Sequence, residues 1–151
     1  MNVIAQLFQE IDSCEYLFLR EIAEPHENKL RLMIEEAETG ELSSIKLPGL
    51  GISEGRPIRS TPRSKLFEVY WDFYVAYSVR NESFVSRDES EVFSGKSFRV
   101  YSKSRFLDYV QSATFACEQH PGPLTHVGVV CQNHIIDVVS TQPPAIRNLR
   151  A

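Results

Sequence analysis

Residues 66–80 read LFEVYWDFYVAYSVR and hold the longest strict alternation of side-chain character in the chain. Every odd position from Phe67 to Val79 is apolar or aromatic, whereas the even positions include Glu68 and Asp72. A period of two is typical of a strand with one buried face. At about 3.3 Å per residue such a strand would reach about 50 Å, so we expect a bend or bulge near Asp72.

The composition predicts one globular domain spanning residues 1–151. The chain is 42% hydrophobic and 24% charged, which is enough to bury a core at this length. The first residues lack the basic region of a signal peptide, and no apolar run approaches the roughly 20 residues of a membrane helix. We therefore expect a cytoplasmic protein with no membrane contact.

Three cysteines, Cys14, Cys117 and Cys131, are widely spaced and odd in number. Neither a disulfide framework nor a cysteine zinc site fits this spacing, so we expect free, buried thiols.

The remaining pattern predicts an α+β fold. Residues 2–13 place apolar side chains at helical spacing, and a longer helix is expected near residues 104–118. Residues 15–23 and 29–37 flank a Pro and Asn turn and predict a hairpin, with a helix for 29–38 as the alternative. Together with other short runs, these segments predict a mainly antiparallel sheet of about six to eight strands.

Two regions are predicted to contain little regular structure. Between residues 38 and 64, repeated Gly and Pro predict one short strand and a long loop. After the pair Pro143 and Pro144, the chain is expected to close with a short tail.

The β-branched runs 124–131 and 134–141 predict a second hairpin with Gln132 and Asn133 at its tip. With that register, His126 and Asp137 lie on the face away from the core as diagonal neighbours within hydrogen-bonding reach.

An oriented imidazole is what a general base requires. One hypothesis is therefore a small hydrolase or nuclease that uses His126 and Asp137, with Tyr77 or Arg80 nearby. The alternative is a cross-strand pair that only satisfies polar groups. We favour this alternative and assign no catalytic residue, because no nucleophile is placed by the sequence.

Motifs for metals and cofactors are missing from the sequence. There is no HxH, HExxH, GxGxxG, Walker or GxSxG pattern. We expect no metal and no cofactor. Whether the chain is an enzyme stays open, with a binding function favoured.

The charge is unevenly distributed along the chain. Residues 1–47 carry ten acidic and four basic side chains, and residues 48–151 carry ten acidic and twelve basic ones. Binding to nucleic acid needs clustered Lys and Arg, so a direct nucleic-acid partner is disfavoured and a basic protein partner fits better. Acidic side chains beside aromatic ones would suit such a partner. The predicted partner-binding residues are Glu35, Glu36, Glu38, Glu41, Tyr70, Asp72, Tyr74, Asp88, Glu89 and Glu91.

A resemblance to a known class of proteins depends on two segments, YVAYSVRNESF (residues 74–84) and NHIIDVVS (residues 133–140). The small size of the chain and its acidic bias around Glu35 to Glu41 add to it. These features resemble small bacterial immunity proteins of polymorphic or contact-dependent growth-inhibition toxin systems. The resemblance implies a non-enzymatic inhibitor that binds the basic active site of a cognate toxin, a nuclease, with its acids replacing substrate phosphates. A homodimer built on the Tyr70 and Tyr74 face is a further possibility, which needs no partner of opposite charge.

Overall fold

The computed structural model describes residues 3–151 and shows an α+β fold. Within these residues there are two helices and twelve strands. The elements in chain order are α1 Val3–Asp12, β1 Tyr16–Ala23, β2 Leu30–Thr39, β3 Ser43–Leu47, β4 Gly51–Gly55, β5 Ile58–Arg59, β6 Leu66–Trp71, β7 Ala76–Asn81, a 3₁₀ turn Glu82–Phe84, β8 Val92–Ser94, β9 Phe98–Lys103, α2 Arg105–Ala113, β10 Thr125–Val130, β11 His134–Ser140 and β12 Ala145–Asn148.

The strands form two five-stranded antiparallel sheets and a separate hairpin. The first sheet has the order β1-β2-β6-β12, with β5 also paired to β2. The second sheet has the order β7-β11-β10-β9-β8, and β3 and β4 pair with each other. The sheets follow the antiparallel expectation because most strands are joined by short turns instead of crossover helices.

Residues 66–80 form two strands in different sheets instead of one continuous strand. The expected bend is present: β6 ends at Trp71 and β7 begins at Ala76. In the bend, the Tyr74 N–H donates to the carbonyl of Asn28, next to the first sheet, and the Val75 N–H donates to Val139 in the second sheet. Changing partners between adjacent residues moves the chain from one sheet to the other.

One connected cluster of buried apolar side chains lies between the two sheets. It combines Phe67, Val69 and Trp71 from β6 with residues of β10 and β11, and it includes Ile11 of α1. In β2, alternate side chains are fully buried, which confirms the predicted hairpin with β1 and excludes the helical alternative. Burial of apolar side chains from both sheets is the main stabilising contribution to the fold.

Twelve strands exceed the predicted six to eight because residues 66–80 form two strands, β8 is an additional short strand, and two weakly patterned regions are extended. The segment interpreted as a long loop forms β3, β4 and β5, and the expected tail forms β12 against β6. Gly49 and Gly51 at the β3–β4 turn have φ values of 77° and 82°, which glycine adopts without steric cost. Glycine therefore marked a hairpin turn there and not an irregular loop.

The predicted second helix is shorter than expected. It starts after Ser104, whose hydroxyl accepts the Leu107 N–H, but it ends at Ala113 and not near residue 118, so it is not the longer helix. Thr114 adopts an extended conformation, and Cys117 is hydrogen-bonded to His120 in a tight turn. Among residues 3–151, no helix combines the length and apolar composition needed to cross a membrane.

The three cysteines are free, but only two are buried. Cys14 and Cys131 lie in the core, whereas Cys117 is exposed in its turn, so the expectation of three buried thiols was wrong for Cys117. Burial raises the pKa of both Cys14 and Cys131 to about 12, and the nearby Glu36 carboxylate adds to the effect at Cys14. Both thiols are therefore protonated and inaccessible at neutral pH.

We expect one thiol of three to react rapidly with a dithionitrobenzoate reagent at pH 8 in the native protein, and all three to react in guanidinium. The exposed Cys117 provides the fast reaction, so Cys117→Ser should abolish it. Rapid modification of two or more thiols in the native protein would contradict the burial of Cys14 and Cys131.

Candidate functional site

The predicted contact between His126 and Asp137 is present on the outer face of the second sheet. Gly128 pairs with Asp137 and His126 with Val139, as the hairpin register predicted. His126 Nε2 lies 2.7 Å from Asp137 Oδ1. A two-residue tip fixes the register of an antiparallel hairpin, so the sequence alone was sufficient to place this pair.

The imidazole of His126 is buried and both of its nitrogens have partners. Its exposed fraction is 1%, and Nδ1 lies 2.7 Å from the Ser104 hydroxyl oxygen. The Tyr101 ring stacks on it with centroids 4.2 Å apart, and Phe106 meets it edge to face at 5.4 Å. Two hydrogen bonds and two aromatic contacts therefore fix the position of this ring.

Ser104, His126 and Asp137 contain the residue types of a serine hydrolase triad, but their arrangement does not suit that chemistry. The Ser104 hydroxyl is 1% exposed and already accepts the Leu107 N–H at 3.0 Å as the helix cap. A working triad also has both imidazole nitrogens hydrogen-bonded, but its serine must be open to substrate, whereas here Ser104, His126 and Asp137 are each at most 2% exposed. These contacts support the alternative in which the pair satisfies buried polar groups.

The same buried network reaches a groove through Arg80. Asp137 Oδ2 accepts a hydrogen bond from an Arg80 Nη at 3.0 Å, and the Arg80 side chain is 45% exposed. Two adjoining cavities of about 640 and 390 Å³ share Arg80, Ser86, Glu91 and Tyr101 in their walls. The smaller cavity also borders His126 and Asp137, although each is at most 2% exposed. The groove lies between the outer face of the second sheet and the segment that follows β7.

Sequence reasoning missed Ser104, Tyr101 and Arg99 as neighbours of this site. The three residues lie on β9 or directly after it, and β9 pairs with β10 so that Tyr101 is opposite His126. The alternation within β9 places Arg99 and Tyr101 on one face. The strand order brings that face next to His126, and this order cannot be predicted from the local sequence pattern.

The first group of predicted partner-binding residues does not present four free carboxylates. Glu36 is buried, and its side chain accepts the Lys65 N–H at 3.1 Å. Glu35 Oε2 lies 3.6 Å from Arg20 Nε and 3.7 Å from Arg150 Nη2. Glu38 and Glu41 are exposed, and no hydrogen bond or ion pair of their side chains is found within residues 3–151.

Tyr70, Asp72 and Tyr74 lie at the opposite end of the β2–β6 ladder. Leu30 pairs with Trp71, whereas Glu38 is eight residues further along β2, so about 27 Å separates the two ends. Tyr70 is half-buried, Asp72 forms an ion pair with Lys29, and the Tyr74 hydroxyl donates to Glu24. That hydrogen bond raises the pKa of Tyr74 to about 12.

Asp88, Glu89 and Glu91 form part of the groove wall on the second sheet. Asp88 lies 3.1 Å from Arg105, and hydrogen bonds from Ser90 lower the pKa of Asp88. Glu91 accepts the backbone N–H of Arg105 at 3.0 Å, and Glu89 is exposed. The ten predicted residues therefore occupy three separate regions instead of one acidic and aromatic surface.

A projecting hairpin was not predicted as a binding element. We call residues 43–55, which comprise β3 and β4, the β3–β4 arm. Its strands pair with each other and with no other described strand. Leu50 is 81% and Ile52 75% exposed, and Leu42 at the base is 58% exposed. Glu38 and Glu41 lie next to this base, so the arm joins exposed apolar area to two free carboxylates.

Among residues 3–151, no group of three or more His, Cys, Asp or Glu side chains could hold a metal ion. Comparison with known proteins finds no matching family model, no similar curated protein and no similar solved structure.

Proposed function

We propose that this chain is a non-enzymatic immunity or inhibitor protein that acts in the cytoplasm. It binds and neutralises a cognate toxin domain with a basic surface, a nuclease. The observation that carries this proposal is that the β3–β4 arm exposes apolar side chains, whereas His126 is buried with both ring nitrogens hydrogen-bonded. The best catalytic candidate is committed to internal contacts, whereas a docking element is free.

The β3–β4 arm has the properties of a protein-docking element. An isolated two-stranded hairpin is marginally stable unless it packs on something, and exposed apolar side chains such as Leu50 and Ile52 add to the instability. A partner that covers the arm would remove this apolar area from water. The arm therefore supports a tight protein contact better than the half-buried Tyr70 face does.

The carboxylates near the arm favour a basic partner. Glu38 and Glu41 are exposed and form no hydrogen bond or ion pair with the described residues. Arg59 is opposite Glu38 in the β2–β5 ladder, and Lys46 and Glu54 on the arm offset each other, so the two carboxylates act at short range. The apolar tip therefore supplies most of the affinity, and the acids mainly increase the rate of association. We therefore propose Glu38 and Glu41, with Leu50 and Ile52, as the contact residues.

The test is binding to the product of the neighbouring gene, measured by biolayer interferometry. Glu38→Lys with Glu41→Lys should slow association about tenfold at low salt. Leu50→Ser with Ile52→Ser should raise the dissociation constant about 30-fold or more. Glu36 is unsuitable for this purpose because it is buried and its replacement would disturb the fold.

Glu27→Lys is the matched control, since it reverses the same charge on an exposed residue at the far end of the first sheet. It should bind as the unchanged protein does at moderate salt. Normal binding by both arm variants, with loss on Glu89→Lys, would place the contact on the groove wall. Absence of any complex with the neighbouring gene product would remove the inhibitor proposal.

A further inference from the structure

The buried network on the second sheet ends at one solvent-exposed group. Ser104, His126 and Asp137 are each at most 2% exposed, and burying a carboxylate is costly unless its oxygens are hydrogen-bonded. Here both oxygens of Asp137 have donors. Arg80 is the member of the network that reaches solvent, so the network holds its guanidinium in a fixed orientation at the groove.

A second guanidinium faces the same groove from β9. Arg99 Nε donates to the Lys96 carbonyl at 2.8 Å, and its guanidinium lies 4.2 Å from the centroid of the Phe93 ring. Within residues 3–151, Arg99 has no acidic partner and Arg80 has only the buried Asp137. Both arginines line the same cavity, and each keeps N–H groups that are free to donate to a carboxylate.

The floor of the groove between these arginines is apolar. Val130 and Ile135 line the cavity of about 640 Å³, a volume typical of small-molecule sites. Gly128 lies on the same face of the sheet, and a Cβ there would come within 2.8 Å of the Tyr101 ring. A larger residue would displace Tyr101 from the groove, so glycine helps to shape it.

The wall above this floor is formed by the segment after β7 and carries four acidic side chains and one basic side chain, Arg87. Glu82 and Glu89 line the cavity, and no ion pair of either is found in the described part of the chain. Asp88 and Glu91, by contrast, contact Arg105. A ligand with a negative group, an apolar group and a positive group would complement the two arginines, the floor, and Glu82 with Glu89.

We propose that this groove binds a short peptide of two or three residues with free ends and an apolar side chain at its carboxyl end. The carboxylate binds Arg80 and Arg99, and the apolar side chain packs on Val130 and Ile135. The ammonium group lies toward the acidic wall. This site is separate from the β3–β4 arm and does not depend on the protein partner proposed above.

The proposal is tested by isothermal titration calorimetry of the full chain with the tripeptide Ala-Ala-Leu, its carboxyl-end amide and its N-acetyl form. The free tripeptide should bind saturably. Each blocked form should bind at least about tenfold more weakly, because each loses one charge-assisted contact. Equal binding of the amide or of the acetylated form, or no saturable binding at millimolar peptide, would overturn the assignment.

Variants separate the two arginines from general charge effects. Arg99→Gln leaves the His126 and Asp137 contacts intact and should weaken tripeptide binding at least about tenfold. Arg80→Lys keeps the positive charge but loses the planar guanidinium with its paired N–H donors, so it should also weaken binding. Arg63→Gln, an exposed arginine outside the groove, is the control. Equal affinities of the Arg99→Gln and Arg63→Gln proteins would contradict the site.

Discussion

Replacement of His126 by alanine is expected to lower the free energy of unfolding by about 3 to 5 kcal/mol. The substitution leaves a cavity between Tyr101 and Phe106 and removes a hydrogen-bond partner from the buried Asp137. Loss of one partner of a buried polar pair, together with lost packing, typically has this effect. Urea unfolding followed by the fluorescence of Trp71, the single and buried tryptophan, measures the change.

The same variant distinguishes a structural network from a catalytic one. If His126 were a general base, His126→Ala would remove an activity while leaving stability nearly unchanged. His120→Ala, an exposed histidine in the turn near Cys117, serves as the control and should alter stability by less than about 0.5 kcal/mol. A His126→Ala protein as stable as the His120→Ala protein would refute the structural role.

The contact between His126 and Asp137 could be predicted because it depends on local information only. Two β-branched runs separated by two tip residues define a register, and the register defines which side chains are diagonal neighbours. Arg80 of β7, one of the two residues expected near the pair, contacts Asp137. Tyr101 and Ser104, which were not expected there, complete the site from β9 and from the residue before α2. Their proximity depends on the strand order β7-β11-β10-β9, which no short pattern contains.

The segment 66–80 shows why alternation cannot reveal a change of sheet. The period of two continues across the bend in the sequence, but only β6 buries alternate side chains. In β7, Tyr77 packs against the core and Val79 is 41% exposed. The bend itself was predictable from length, because a straight strand of that size exceeds the dimensions of the fold. The new hydrogen-bond partners of Tyr74 and Val75 decide which sheet the chain enters.

Charge counts likewise overstated the free acidic surface. The first 47 residues carry net −6, yet Glu35 lies near two arginines that are distant in sequence, and Glu36 is buried. Whether a carboxylate is free depends on tertiary partners, which the sequence does not show. The exposed tip of the β3–β4 arm was missed for a related reason, since its glycines resemble those of an irregular loop.

Replacement of Asp12 by alanine is expected to lower the free energy of unfolding by about 3 kcal/mol, and replacement by asparagine by about half as much. Asp12 is the last residue of α1, where a negative charge is unfavourable to the helix dipole. Its carboxylate instead accepts the backbone N–H groups of Lys96, Ser97 and Phe98 at 2.7 to 3.1 Å. Hydrogen bonds to a charged group are worth more than neutral ones, and three donors lose their acceptor together.

Asp108→Asn is the matched control, because Asp108 is exposed in the first turn of α2 and should contribute no more than about 0.5 kcal/mol. The difference between the two asparagine variants, measured by urea unfolding, isolates the contact that joins α1 to the start of β9. If Asp12→Asn and Asp108→Asn proved equally stable, α1 would be held by apolar packing of residues such as Ile11 alone. A loss confined to Asp12 would instead show that one carboxylate fixes the helix against the second sheet.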